Sequence, residues 1–427
     1  MKYKGSSTVR AAARRASRRS ICGAGVSALA LLLCPIAASA QVVERGTSVT
    51  DLPRPGYEPH NIRMGSTVLS PKLDLTGVYD TNVYATSTNA SDDYIFTIAP
   101  RLDALSTFGS LQLKSDAYWT RDEYADHGTE SRSTYGGGTR GNFIINQAQK
   151  LTFGARFDRF VQTRFDPEGQ TNINIEPRRF NTLAADLGYR YQRNRIGISV
   201  DGGVEKNNFI SAIDADRDLT TYRGAVKVGV RVSGGTDVFV QGFVNRRDSR
   251  LAVDFTAVDR DATTLGALAG VSFDLGKKLQ GSMGGGLFRS NNDDVRLRDF
   301  TGLAVNGRLT WSPDERTAIT LAASRGDVGT VRAGASGRID TNVTLQLDQE
   351  VRHNLLFLAR AGVRGTTYRG TGSSQRQTTA VASGEVEYLL NRYMSAVVTG
   401  TYMKRWSKIA LEDFEKGRVG VGLRLKY

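Results

Sequence analysis

Few side chains in this 427-residue sequence are of types that do chemistry, and they do not cluster. The histidines are His60, His127 and His353, far apart in the chain. Both cysteines, Cys22 and Cys34, fall in the N-terminal stretch, so the remainder offers no thiolate and no Cys/His zinc site. Asp126-His127 with Ser131 and Ser133 has the residue types of a hydrolytic triad. No strained nucleophile turn accompanies it, and a polar loop accounts for the composition. Asp92-Asp93 and Asp293-Asp294, the latter beside Asn291 and Asn292, lack the ligand spacing of a dedicated calcium loop. Arg246, Arg247, Arg250 and Arg260 crowd one expected outer loop, where guanidinium groups suit lipopolysaccharide phosphates. The expectation is therefore no catalytic residues, no metal, no cofactor and no enzyme activity.

The more telling charges alternate with apolar residues. From Tyr222 onward, Tyr222, Gly224, Val226, Val228, Val230 and Val232 share one face, and Arg223, Lys227 and Arg231 take the other. The same parity assigns Arg308, Arg360 and Arg364 to a polar face, with Asp340, Asp348, Glu385 and Glu387 among the matching acids. If the apolar face meets lipid, each Lys or Arg placed there would cost about 2–4 kcal/mol near the midplane, so the charges must face a lumen. Such a lumen is either a basic-biased conduit for an anionic chain or a lattice of salt bridges that holds its own shape. The Arg223, Lys227 and Arg231 row is the best local candidate for the first, because no acid interrupts it along its strand.

The elements that carry these charges read as strands of period two over the whole length beyond residue 65. Linkers alternate short and long: Asn146–Gln149, Gln192–Arg195, Ser233–Thr236 and Ser312–Glu315 against Thr86–Asp93, Glu123–Ser133, Thr163–Arg178, Asn207–Asp218, Arg246–Asp261 and Gly365–Gln377. This rhythm predicts an all-β fold, a transmembrane antiparallel up-and-down β-barrel with short periplasmic turns and long extracellular loops. The count is about 18 strands, or 16 if the weak alternation around Thr317–Ser324 is miscounted. The last strand carries Val419, Val421, Leu423, Leu425 and Tyr427 on one face, an apolar row ending in an aromatic. It resembles the signal by which the outer-membrane assembly machinery takes up barrel precursors, and barrel closure would pair it with the strand around Lys72–Tyr79.

The N-terminus reads as an export signal over residues 1–40: arginines, an apolar run from Ile21 to Ile36, and Ala38-Ser39-Ala40 before Gln41, with cleavage between Ala40 and Gln41. Its loss would lower the formal charge from +14 to about +7, so no nucleic-acid partner is expected. Residues 41–65, with Pro53, Pro55 and Pro59, form an extended periplasmic segment, and 66–427 the barrel.

Arg54-Pro55-Gly56-Tyr57-Glu58-Pro59, Ile62-Arg63-Met64-Gly65, Ser70-Pro71-Lys72-Leu73 and Tyr79-Asp80-Thr81-Asn82-Val83-Tyr84-Ala85 resemble the putative beta-barrel porin 2 family. Ile98-Ala99-Pro100-Arg101-Leu102 continues the match. The resemblance implies an outer-membrane barrel associated with exopolysaccharide or capsule production, with polysaccharide and secretion-system components as partners beside lipid and lipopolysaccharide. It supplies no catalytic residues and assigns no role to Asp80-Thr81-Asn82. Two alternatives stay open: a non-conducting assembly partner, and a general diffusion porin. The porin needs a long loop folded into the lumen, and Arg246–Asp261 or Thr163–Arg178 could provide it.

Overall fold

In a computed structural model, the structure describes residues 54–427 except Lys277, residues 371–374 and Ile409, together with Val49 and Leu52. The expected export signal, its cleavage site, both cysteines and Pro53 lie outside the described residues. A short strand β1 (Ile62–Met64) precedes β2 (Thr67–Asp80), β3 (Asp93–Phe108), β4 (Leu111–Tyr124), β5 (Arg132–Asn146), β6 (Gln149–Val161) and β7 (Arg179–Arg193). Then follow β8 (Ile196–Phe209), β9 (Leu219–Ser233), β10 (Thr236–Ser249), β11 (Ala262–Leu275), β12 (Leu279–Asn292) and β13 (Phe300–Asp314). The chain ends with β14 (Thr317–Val328), β15 (Ala335–Arg352), β16 (Leu355–Gly370), β17 (Arg376–Leu389), β18 (Met394–Ser407) and β19 (Phe414–Lys426).

Each strand from β2 to β19 pairs antiparallel with its sequence neighbour, and β19 pairs back onto β2 from Arg418↔Asp80 to Lys426↔Lys72. The result is a closed barrel of 18 strands. No described helix is long and apolar enough to cross a membrane; here strands do the crossing. Val226, Val228, Val230, Leu287, Leu303, Val419 and Val421 stand exposed on the outer face, as a lipid-facing surface must. β1 pairs Ile62–Met64 with Thr67–Leu69, covering the edge of β2 below the point where β19 ends. That leaves no open sheet edge at the seam.

Three expected boundaries move. Arg246 and Arg247 belong to β10, and Asn291 and Asn292 to β12, because both strands run past the apolar belt and stay paired in the extracellular rim. At the Gly365–Gln377 stretch β16 continues to Gly370, because β15 rises equally far and supplies its partner.

Two extracellular elements turn inward. The first is the 162–178 segment between β6 and β7. The second is the β14–β15 hairpin. β13 pairs with β14 only from Asp314 up to Val305↔Arg325, whereas the β14–β15 ladder continues to Val328↔Arg338. Freed of β13, the hairpin bends over the lumen, and Ala335–Asp340 are buried on both faces.

Candidate functional site

The lumen beneath these two elements is the candidate site; among the described residues no group of three His, Cys, Asp or Glu could hold a metal. Asp92 accepts from the Tyr79 hydroxyl at 2.8 Å. His127, for its part, hydrogen-bonds Asp93 (2.9 Å) and Ser91 (3.0 Å), which accounts for it structurally.

The inward 162–178 segment reaches the far wall. Phe165 is buried at 2% exposure against Val381, Met403 and Phe414 of β17, β18 and β19. The Arg405 guanidinium of β18 donates to the Phe165 carbonyl, and the Tyr368 hydroxyl of β16 to the Pro167 carbonyl at 3.4 Å. At the segment's root Arg164 forks onto Glu130, and it also donates to the Gln170, Asn172 and Ile175 carbonyls. One guanidinium thus fixes the loop's fold and its attachment to the neighbouring 125–131 loop.

The β14–β15 hairpin wedges against the inner face of the neighbouring β10–β13 wall. Asp327 accepts from Thr264 Oγ1 (2.7 Å), Ser290 Oγ (2.9 Å) and Arg247 (2.7 Å). Ile339, 1% exposed, packs on Phe288 and Ala304. Gly337 has to lack a side chain, since a Cβ there would meet the Phe300 ring at 2.4 Å. The two inward elements meet at Glu168, whose carboxylate takes Thr330 Oγ1 (2.6 Å), Arg338 (3.1 Å) and Arg217 (3.5 Å). One carboxylate therefore ties the loop, the hairpin and the 210–218 segment together across the lumen.

Burial dominates the loop's Asp166 and pushes its carboxyl above the ordinary range, against the lowering pull of Arg364 and Arg405.

The basic residues singled out in the sequence divide by partner. Arg223 pairs with Glu205 at 2.9 Å, Arg231 with Asp237 at 3.0 Å and Arg364 with Asp340 at 2.6 Å. No acid interrupts the β9 row along its own strand, yet β8 and β10 supply acids from either side. Lys227 lies 3.7 Å above the Phe239 ring, with Ser272 Oγ at 3.4 Å. Arg360 donates to the Gln346 amide oxygen at 2.6 Å, and Arg308 has no partner among the described residues.

Val419, Val421, Leu423, Leu425 and Tyr427 line the outer face of β19. Behind them sits a seam that sequence reasoning missed. Asp80, fully buried, accepts from Lys416 (2.8 Å) and Arg418 (2.7 Å) of β19. Thr81 and Gly417 exchange two hydrogen bonds, and the Asn82 amide donates to the Glu415 carbonyl at 3.0 Å. Asp80-Thr81-Asn82 staples the first barrel strand to the last. A short polar motif at the end of the first strand, facing Lys416 and Arg418 in the last, was the available signal.

The closed barrel, lipid-facing exterior and charged lumen define an outer-membrane β-barrel of porin type. The chain belongs to the family described as Putative beta-barrel porin 2, whose profile matches residues 54–427. Among solved structures it is similar to the outer membrane protein opdK of Pseudomonas aeruginosa, at 12% identity over 84% of this chain and 99% of that one, with a TM-score of 0.43. It is also similar to the FrpB iron transporter of Neisseria meningitidis (8%, 86% and 82%, TM-score 0.42) and to the siderophore receptor PirA of Pseudomonas aeruginosa (9%, 84% and 80%, TM-score 0.38). No curated protein matches this sequence.

Proposed function

We propose that the barrel is a narrow channel for small solutes. The observation that carries this reading is the 162–178 segment, which crosses the lumen and is fastened on the far wall through Phe165 and Arg405. A loop held at both ends divides the lumen and reduces the cross-section open to a solute. Of the alternatives legible in the sequence, the diffusion porin is the one that calls for such a loop, and Thr163–Arg178 supplies it.

The exopolysaccharide role implied by the family resemblance asks more of the structure. A polymer would need the loop and the hairpin to leave the lumen together, breaking the contacts of Glu168, Phe165 and Asp327 in one movement. Export of a polysaccharide thus requires a driver for that opening, whereas passage of small solutes requires none. The test is solute uptake by liposomes containing the refolded barrel. Monosaccharides are expected to enter and long oligosaccharides to be excluded; equal entry of both, or of neither, overturns the reading.

A further inference from the structure

Most lumen cations are spoken for by carboxylates. Lys72 and Arg101 share Asp103, Arg156 bridges Asp116 and Asp158, and Arg424 holds Asp74, Glu385 and Glu387. Paired charges of this kind fix the wall and leave little field for a passing ion.

The β13–β16 wall differs. Arg308 is exposed, and its register partners on the same face are Ser282 of β12 and Ala322 of β14. The next rung toward the periplasm runs Thr310, Thr320, Gln346, Arg360 across four successive strands. Thr310 and Thr320 share a hydrogen bond at 3.1 Å, and Gln346 presents its oxygen to Arg360. The wall is thus a floor of hydroxyls and an amide with an arginine at each end. Three strand spacings, about 14 Å of backbone, separate the two ends. The two acids beside it are both engaged: Asp348, 5% exposed, accepts from the Gln346 amide at 2.9 Å, and Glu385 of β17 pairs with Arg424 at 3.0 Å.

Arg140 makes the contrast. Like Arg308 it stands six residues short of its strand's periplasmic end, Asn146 against Asp314, and it too has no ion-pair partner among the described residues. But Asp186 lies in its row and leans over Gly154, where a Cβ would meet the carboxylate at 2.6 Å. A local acid offsets Arg140, and nothing comparable offsets Arg308.

Building on the solute-channel reading, we propose that this wall is a docking site for small hydroxylated carboxylates. Arg308 takes the carboxylate through its guanidinium fork, Thr310 and Thr320 take hydroxyls, and Arg360, held by Gln346, gives the second positive end. Arg308 becomes the residue that sets anion preference. An unpaired cation about 4 Å from a permeating anion in water is worth roughly a fivefold change in occupancy.

The experiment measures the zero-current potential of single barrels across a potassium gluconate gradient, for the native chain, Arg308→Gln and Arg308→Glu. The native barrel should favour the anion, Arg308→Gln should lower that preference about fivefold, and Arg308→Glu should reverse it. Arg231→Gln, at an already paired arginine, should change it little. Conducting variants with unaltered selectivity overturn the docking site and leave the channel reading intact. If the native barrel conducts nothing, the channel reading fails. The site is then decided by calorimetric titration of gluconate into the refolded barrel: binding lost in Arg308→Gln supports it, and no binding by the native chain overturns it.

Discussion

Replacing Asp80 by alanine should loosen the barrel where it closes. The Asp80 side chain is 0% exposed and that of Lys416 1%, and the carboxylate also takes Arg418 at 2.7 Å and the Asn82 backbone amide at 3.0 Å. Removing the acid leaves an ammonium and a guanidinium next to one another with no counter-charge in a site closed to water. Breaking one side of such a buried pair costs about 3–5 kcal/mol, far above the value of a surface pair. Lys416 keeps its bond to the Asn82 carbonyl at 2.7 Å, which places the expectation near about 3 kcal/mol. The assay is urea unfolding of the barrel refolded into lipid vesicles, read as a midpoint shift at constant slope. Asp80→Ala combined with Lys416→Met should recover part of the loss, because the stranded ammonium is gone, and the double-mutant cycle isolates the pair. A loss under about 1 kcal/mol for Asp80→Ala alone would refute the staple.

Two further outcomes follow from the lumen. Glu168→Gln should free the hairpin from the loop, since Arg338 and Arg217 lose their shared carboxylate; faster hydrogen exchange over 163–170 and 329–334 checks this, with exchange of the strand ladders unchanged. Acidity should tighten the loop: burial raises the Asp166 carboxyl in the docked state, so docking is fully favoured below the ordinary carboxylate value and weakens as pH rises through the raised one. Channel current should therefore fall on acidification, and Asp166→Asn should remove that dependence.

The barrel was legible because alternation and linker length both report directly on a two-sided wall: Tyr222 to Val232 and the short turns at Asn194-Arg195 and Gly234-Gly235 needed no tertiary knowledge. The closing pair of strands was legible for the same reason, from the apolar row ending at Tyr427. The inward elements were legible only in part. Thr163–Arg178 was long enough to fold in, but so was Arg246–Asp261, whose first residues extend β10 instead. Nothing in the β14–β15 sequence announces that the hairpin leaves β13 above Val305, because that departure is set by side chains from five other strands and loops. Arg308, Arg223 and Arg231 look alike in parity, and what separates them is the acid content of the neighbouring strands, which register alone decides.

The constriction is tested most directly by single-channel conductance of the native barrel and of a variant in which residues 163–177 are replaced by a short Gly-Ser linker. A loop fastened across the lumen predicts a small native conductance and a several-fold larger one without the loop, the barrel remaining folded. Equal conductance in the two folded proteins would mean that the loop does not lie in the path of the current, and would contradict the account.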